Sequence, residues 1–395
     1  MRDIKSALFK DGFSKKMIVF GLSWLALIII YTWHLSSSPA GFSPVEAQSI
    51  ALSINHHVLA HNALSLPHDI LLYAANHFHH ASLELTRLSS AILALIFIGC
   101  FFYVAKIWFG TMVAYVSTAI FALTPLVLLV GRSATSEILL LLPLAVSAAY
   151  FWAVRHPERQ LVGLLLLTFV AAMTIYVPGG IFIILAGGIY SWPVLKEMFR
   201  KLTSTNIAVL GVLSLVLLVP LAYTFYANHL QLRPWVLVPS PLSSVSTELR
   251  HIASMAMGIF IHTTDHSNYQ IGRLPLLTIT QFVLAGFGLY ALWERAKNKA
   301  WGLLGLVVFG ILAAGIINDF TYLLYSLVGL SIFMGAGLRF LILEWRTVFP
   351  SNPLPRALAI FLVFAVLAIQ LLYGVRYSLV AWPATMATRQ VYVIK

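Results

Sequence analysis

Hydrophobic positions in this chain come in long unbroken runs rather than in the alternation of a strand or the stripe of a soluble helix. Eleven such runs are evident: Met17–Trp33, Leu88–Ala105, Thr111–Val130, Ile138–Val154, Leu161–Tyr176, Gly179–Trp192, Ile207–Ala227, Pro275–Trp293, Trp301–Ile317, Thr321–Leu338 and Ala357–Tyr373. A helix crosses about 30 Å of hydrocarbon with roughly 20 apolar residues, so each run reads as a membrane-spanning helix. Two tight hairpins are expected, at Val177-Pro178 and at Asn318-Asp319, where Pro or Asn breaks the run. Two polar stretches are long, residues 34–87 and 228–274. The pattern predicts an all-α polytopic membrane protein of about 11 transmembrane helices, one domain over residues 1–395.

Composition agrees with the pattern. The chain is 60% hydrophobic and 10% charged, with mean hydropathy +0.90, whereas about a quarter of a soluble domain is charged. The net charge of +12 does not point to nucleic acid, because the cations lie in short runs between apolar segments. Of 25 Lys and Arg, 17 fall on the side of the N-terminus and 8 on the other. By the positive-inside rule this predicts a cytoplasmic N-terminus, an extracytoplasmic C-terminus, and both long loops outside. Lys196–Lys201 is expected inside and His262–Arg273 outside. The basic N-terminus precedes a retained first span, and Cys100, the only cysteine, allows no intrachain disulfide. No paired, Gly/Pro-interrupted halves mark a secondary transporter, which ranks transport third.

Candidate chemistry concentrates in Gly41–Arg87. Seven of the 13 histidines lie there, together with Glu46, Asp69 and Glu84, in a chain with only 13 acidic residues. A carboxylate beside a bilayer needs water, a cation or a partner. Ser43-Pro44-Val45-Glu46 has the form of a helix start: Ser43 as N-cap, Pro44 in the first turn, Glu46 closing a capping box. Amphipathic helices are therefore expected at about Pro44–Leu59 and Asp69–Phe78. For Glu46 the spacing alone leaves two roles open, capping residue and base. His57 and His61 are spaced i,i+4, and His77, His79 and His80 form a run. Without HExxH or a Cys partner, interfacial packing explains them better than a metal. No GxSxG, Walker loop or GxGxxG before a helix is present. Outer cations other than Lys395 are all arginine, including Arg87, Arg132, Arg233 and Arg273. The planar guanidinium suits phosphate, and Arg132 shares a tight turn with Glu137, which allows a local ion pair.

An ordered set of short motifs then resembles a known family. Arg87-Leu88, Phe109-Gly110, Thr124-Pro125, and Arg132 followed five residues on by Glu137 are similar to the second to fourth spans of the protein O-mannosyltransferase and aminoarabinose-transferase group. IYVPGGIFIIL (Ile175–Leu185) and GRLPLL (Gly272–Leu277) resemble its later spans. The resemblance implies a GT-C-like bundle that takes sugar from a polyprenyl-phosphate donor at the outer face. It also implies an Asp-Glu pair in the first outer loop. Glu46 matches the Glu, but Val45 stands where the Asp is expected. Pro67 matches a Pro-rich segment in which some members carry a second acid, here Asp69. The family's soluble C-terminal domain is not expected, since about twenty residues follow the last span.

The expected function is transfer of a sugar from a polyprenyl-phosphate donor to an acceptor hydroxyl by inverting displacement in a prokaryotic plasma membrane. Glu46 is the expected base and Asp69 the supporting carboxylate. Arg132, Arg273, Arg87 and Glu137 are the expected lipid-phosphate site. A divalent cation on Glu46 and Asp69 is compatible with this scheme. Partners are the donor lipid, membrane lipids and an unnamed acceptor, and no nucleic acid. The alternative is a catalytically inactive scaffold of the same fold that binds lipid or partner proteins.

Overall fold

A computed structural model describes residues 12–37, 39–54, 63–78, 82–239, 244–261, 269–349 and 353–393. His57, His61, His79, His80 and most of the His262–Arg273 stretch lie outside the described residues. Among those described, the ordered elements are helices, without a strand.

The first helix, α1 (Gly12–Thr32), leads to two shorter ones, α2 (Pro44–Ile54) and α3 (Leu66–Phe78). Then come α4 (Leu83–Phe109), α5 (Thr111–Leu123) with its continuation α6 (Pro125–Val130), and a 3-10 stretch Ser136–Leu141 that runs into α7 (Leu142–Arg155). The chain continues through α8 (Gln160–Ile175), α9 (Gly180–Arg200), α10 (Ser204–Ala227), the short α11 (Leu232–Trp235) and α12 (Val245–Phe260). The last part holds α13 (Ile279–Arg295), α14 (Lys297–Ile317), α15 (Leu323–Val348), α16 (Pro353–Arg376), α17 (Trp382–Ala384) and α18 (Met386–Val391).

Eight helical segments are long and apolar enough to cross a membrane, and Met17–Thr32 and Thr111–Leu123 are shorter apolar helices. With α13 they coincide with the eleven apolar runs. Helices stand where the pair was expected in the first long loop, α2 over Pro44–Ile54 and α3 over Leu66–Phe78, while residues 55–59 of the expected first helix lie outside the described residues. Two features of the second long loop and the tail go beyond the sequence reading. The second long loop contains α12, whose Gly258 and Ile259 carbonyls accept from the Leu276 and Leu277 amides. The C-terminal tail packs back on the bundle, burying Trp382 and Tyr392.

Helix α15 is the axis of the bundle. Every residue from Leu323 to Leu338 is buried, as expected of a helix apolar all round. Close approach to α13 depends on two glycines. A Cβ on Gly288 would collide with the Phe333 carbonyl, and one on Gly337 with the Leu284 carbonyl. Small residues let the backbones meet where lipid gives no hydrophobic drive for association. The hairpins are set by left-handed residues: Gly179 (φ +76°) donates its N–H to the Trp235 carbonyl, and Asn318 (φ +56°) ends α14.

The bundle thus has two polar ends. One gathers the end of α1, α2, α3, the 131–137 turn, the Asn318-Asp319 hairpin and the tail. The other carries Lys106, Lys196, Lys201, Lys297 and Lys299.

Candidate functional site

At the first of these ends, Ser43 and Glu46 close the α2 capping box. The Glu46 amide donates to Ser43 Oγ at 3.1 Å, and the Ser43 amide donates to Glu46 Oε2 at 3.0 Å. The same carboxylate receives Arg87, carried by the first turn of α4. Arg87 Nε donates to Oε1 and Nη2 to Oε2, both at 3.0 Å. The Ala134 amide adds a bond to Oε1 at 3.0 Å. Four donors therefore occupy the roughly four lone-pair positions of the carboxylate.

Arg87 is equally engaged. Besides its two bonds to Glu46, Nη1 donates to the Leu35 and Pro39 carbonyls and Nη2 to the Gly41 carbonyl, each at 2.7 Å. All five of its N–H groups have partners. Glu46 is 0% and Arg87 1% exposed, and Tyr392 of the tail places its ring 5.7 Å from the guanidinium. Neither side chain has a position left for a substrate. A base at Glu46 and a phosphate contact at Arg87 would each have to give up one of these bonds to meet a substrate.

Asp69 sits in the first turn of α3 and is 1% exposed. Oδ2 accepts from Ser65 Oγ at 2.6 Å, while Oδ1 is buried without a partner. Burial raises its carboxyl to about 6, against the lowering effect of the Ser65 bond. Its neighbour His68 is fully buried, bonded through Nε2 to Ser90 Oγ on α4 at 2.8 Å, and burial lowers it to about 4. No hydrogen bond joins Asp69 to Glu46. No group of three or more His, Cys, Asp or Glu side chains gathers as a metal site among the described residues. With the Glu46 oxygens occupied, the pair does not fit a divalent cation.

Arg132 takes a position the sequence did not reveal. Nη1 donates to the Ile30 carbonyl at 2.6 Å and to that of Tyr31 at 3.3 Å, and Nη2 to that of Trp33 at 2.7 Å. It thereby satisfies carbonyls left open at the end of α1 and sets a positive charge against the negative end of that helix. Burial, then the nearby Arg87 charge, lower its guanidinium to about 10. The Arg132–Glu137 ion pair that the turn allows is not formed, since the ion pairs among the described residues are Glu46–Arg87 and Glu197–Lys201. Arg132 also lines a cavity of about 510 Å³ with His34, Ser37 and Arg376, walled by Leu372, Val375, Leu379 and Val380. Arg273 is exposed and joins none of these groups.

A second polar node lies beside the first. Glu137, in the 3-10 stretch before α7, accepts from the Thr135 hydroxyl but leaves Oε2 buried and unpartnered. Asp319 and Glu46 are near enough for their charges to act on it. Asp319 turns one oxygen inward on its own hairpin, where Oδ1 accepts from the Thr321 amide and hydroxyl at 2.9 and 2.8 Å. The Glu137 charge also acts on Tyr269, Tyr322 and Tyr392, joined by Asp319 at the first two and by Glu46 at the third. Tyr269 reaches Thr135 Oγ1 at 3.4 Å, and burial, then Glu137, hold its phenol well above the ordinary value. Asp319 and the three tyrosines were not candidates from sequence. The one available signal was an acid at a hairpin of an acid-poor chain.

Comparison with known proteins follows the same lines. Residues 72–224, less than half of the chain, match the family model of dolichyl-phosphate-mannose-protein mannosyltransferases. No curated protein sequence matches the chain. In structure the chain is similar to ArnT from Cupriavidus metallidurans in the apo state, with 12% identity and TM-score 0.60, over 95% of this chain and 78% of that one. The same enzyme bound to undecaprenyl phosphate gives 13% identity and TM-score 0.54, over 94% and 76%. The archaeal oligosaccharyltransferase AglB from Archaeoglobus fulgidus, in complex with an inhibitory peptide and a dolichol-phosphate, gives 12% and 0.51, over 90% and 56%. At these identities the likeness is one of fold. This is an integral membrane protein with the GT-C fold of polyprenyl-phosphate-linked glycosyltransferases.

Proposed function

We propose that the protein is a membrane glycosyltransferase that moves a sugar from a polyprenyl-phosphate donor to an acceptor hydroxyl. The reaction takes place at the polar end that holds Glu46, Arg132 and Glu137, on the extracytoplasmic side of a prokaryotic plasma membrane. The N-terminus is cytoplasmic and the C-terminus extracytoplasmic, as the cation asymmetry indicates. The observation that carries this reading is the bare, buried Oε2 of Glu137 at the end of the fold where two guanidinium groups and an aliphatic wall line an open cavity.

In this reading Glu46 and Arg87 form the scaffold and the base passes to Glu137. Its carboxylate takes the proton of the acceptor hydroxyl as that oxygen attacks the anomeric carbon. The bond from that carbon to the phosphate oxygen breaks, and the lipid phosphate leaves with the electron pair. Arg132 and Arg376 stabilise the leaving charge, and Leu372, Val375, Leu379 and Val380 receive the first prenyl units. Asp69, with one free oxygen, is the second carboxylate to examine.

A second reading is favoured by one observation. Val45, where an acid is expected, is exposed at the start of α2, and Glu46 beside it is saturated. A scaffold that binds lipid phosphate without turnover would have this form. Purified protein incubated with a panel of polyprenyl-phosphate sugars, beginning with the mannose compound, separates the two. Release of polyprenyl phosphate that depends on an added acceptor supports the transferase. Binding of the lipid without release across the panel supports the scaffold.

A further inference from the structure

At the opposite, lysine-bearing end of the bundle, a cavity of about 190 Å³ opens between α4, α13, α14 and α15. Three cations line it: Arg295 from the last turn of α13, Lys299 from the first turn of α14, and Arg339 from α15. Trp108, Phe109 and Phe340 form its aromatic wall. No ion pair neutralises any of the three cations, because the two ion pairs among the described residues lie elsewhere.

Two of the cations are held in place from behind. Lys299 Nζ donates to the Trp108 carbonyl at 2.8 Å and lies 5.4 Å from the Phe109 ring centre. Arg339 Nη1 donates to the Phe109 carbonyl at 3.2 Å. The open carbonyls at the end of α4 account for one N–H of each. Lys299 keeps two of its three N–H groups and Arg339 four of its five, and Arg295 has all five. Arg295 and Arg339 are exposed and Lys299 is half-buried, so solvent screens part of their mutual repulsion, and an anion among them would relieve the rest.

We propose that this cavity binds a phosphate group, independent of the site at the other end. Its chemistry fits the phosphate of an anionic glycerophospholipid headgroup or free phosphate. Guanidinium and ammonium donors from three helices would converge on the oxygens, with aromatic side chains at the depth of the membrane interface. Bound there, the anion would tie α4, α13, α14 and α15 together at the end where they meet.

The test uses full-length protein in nanodiscs of phosphatidylcholine, with or without phosphatidylglycerol, and in detergent with inorganic phosphate. Melting temperature and lipid retained in native mass spectrometry are read in parallel. Phosphatidylglycerol should raise Tm by about 3 °C or more, a size typical of ligand stabilisation in a chain this large. Arg295→Gln removes no hydrogen bond or ion pair, only a cation at the end of α13, so its Tm in pure phosphatidylcholine should fall by no more than a degree or two while the phosphatidylglycerol gain falls by half or more. The triple R295Q/K299Q/R339Q variant should lose the gain and the retained lipid. A gain from inorganic phosphate as well assigns the site to any phosphate anion, and a gain from the lipid alone assigns it to the headgroup. No gain from either anion, or a gain that survives both variants, overturns the proposal.

Discussion

Two carboxylates at the same end of this bundle, linked through one short turn, have opposite surroundings. Glu46 receives four hydrogen bonds, two of them from an arginine whose own donors are all engaged. Glu137, three residues beyond the Ala134 amide that binds Glu46, keeps an oxygen buried and bare with two other acids near it. Burying an ion pair is tolerable when every lone pair and proton is matched. Such a pair resists change and has nothing left to offer a substrate. A half-matched carboxylate is costly to the fold, and that cost is tolerated at positions where chemistry needs a group free to take a proton. On the proposed function, the contrast sets the scaffold apart from the proposed reaction centre.

The largest expected effect breaks the second node. Glu137→Gln keeps shape and the Thr135 contact but cannot accept a proton, so sugar transfer should fall by about 10²–10⁴-fold, the usual contribution of a general base. Melting temperature should stay within a few degrees of wild type. Next comes the first node. Arg87→Met leaves Glu46 charged in the interior with two amide donors but no counter-charge, and should cost about 3–5 kcal/mol. That loss is to be read as unfolded or aggregated protein in a thermal size-exclusion series. Arg132→Lys sharpens the comparison from the side of α1. Lysine keeps the charge but cannot span the Ile30, Tyr31 and Trp33 carbonyls, so stability should fall by about 1–3 kcal/mol. If the cavity binds lipid phosphate, donor affinity should fall with it.

A smaller effect comes from pH. Asp69 is held near 6, above its ordinary 3.8, so its contribution to stability is present at low pH and is lost as pH rises from about 4 to 6. His68 is held near 4, below its ordinary 6.5, so its contribution is present above pH 6.5 and is lost as pH falls toward 4. The two trends oppose each other over nearly the same window. Asp69→Asn should leave a Tm that rises between pH 4.5 and 6.5, and His68→Gln one that falls. Parallel slopes in the two variants would refute the assignment. The smallest change is Ser43→Ala, which removes the capping bond and the contact with Tyr392 and should cost about 1–2 kcal/mol.

What was legible in the sequence was local. The apolar runs gave the spanning helices, because span length is a property of the run itself. Ser43-Pro44-Val45-Glu46 gave the start of α2, because a capping box closes within four residues. The partner that decides the role of Glu46 is 41 residues away, and the amide completing its shell is 88 residues away. No spacing rule reaches that far. Arg132 was read as a phosphate clamp from its planar guanidinium, its turn beside Glu137 and the family resemblance, and the acceptors it meets in the fold are carbonyls about 100 residues earlier. Asp319 read as a hairpin residue, which it is. Its place near Glu137 arises from how α15 packs against the 3-10 stretch Ser136–Leu141. Helix α12 was missed because its apolar face alternates with polar residues in a stretch rich in Pro, Ser and His.

One side-by-side measurement bears most directly on the division between the two nodes. Glu46→Gln and Glu137→Gln are purified in the same nanodiscs, and release of polyprenyl phosphate from the mannose donor, or from whichever donor proves active, is measured per folded molecule. The account predicts that Glu46→Gln melts lower but turns over within about tenfold of wild type, while Glu137→Gln melts normally and loses turnover by about 10²-fold or more. Full turnover in Glu137→Gln, with loss in Glu46→Gln at wild-type stability, would contradict it.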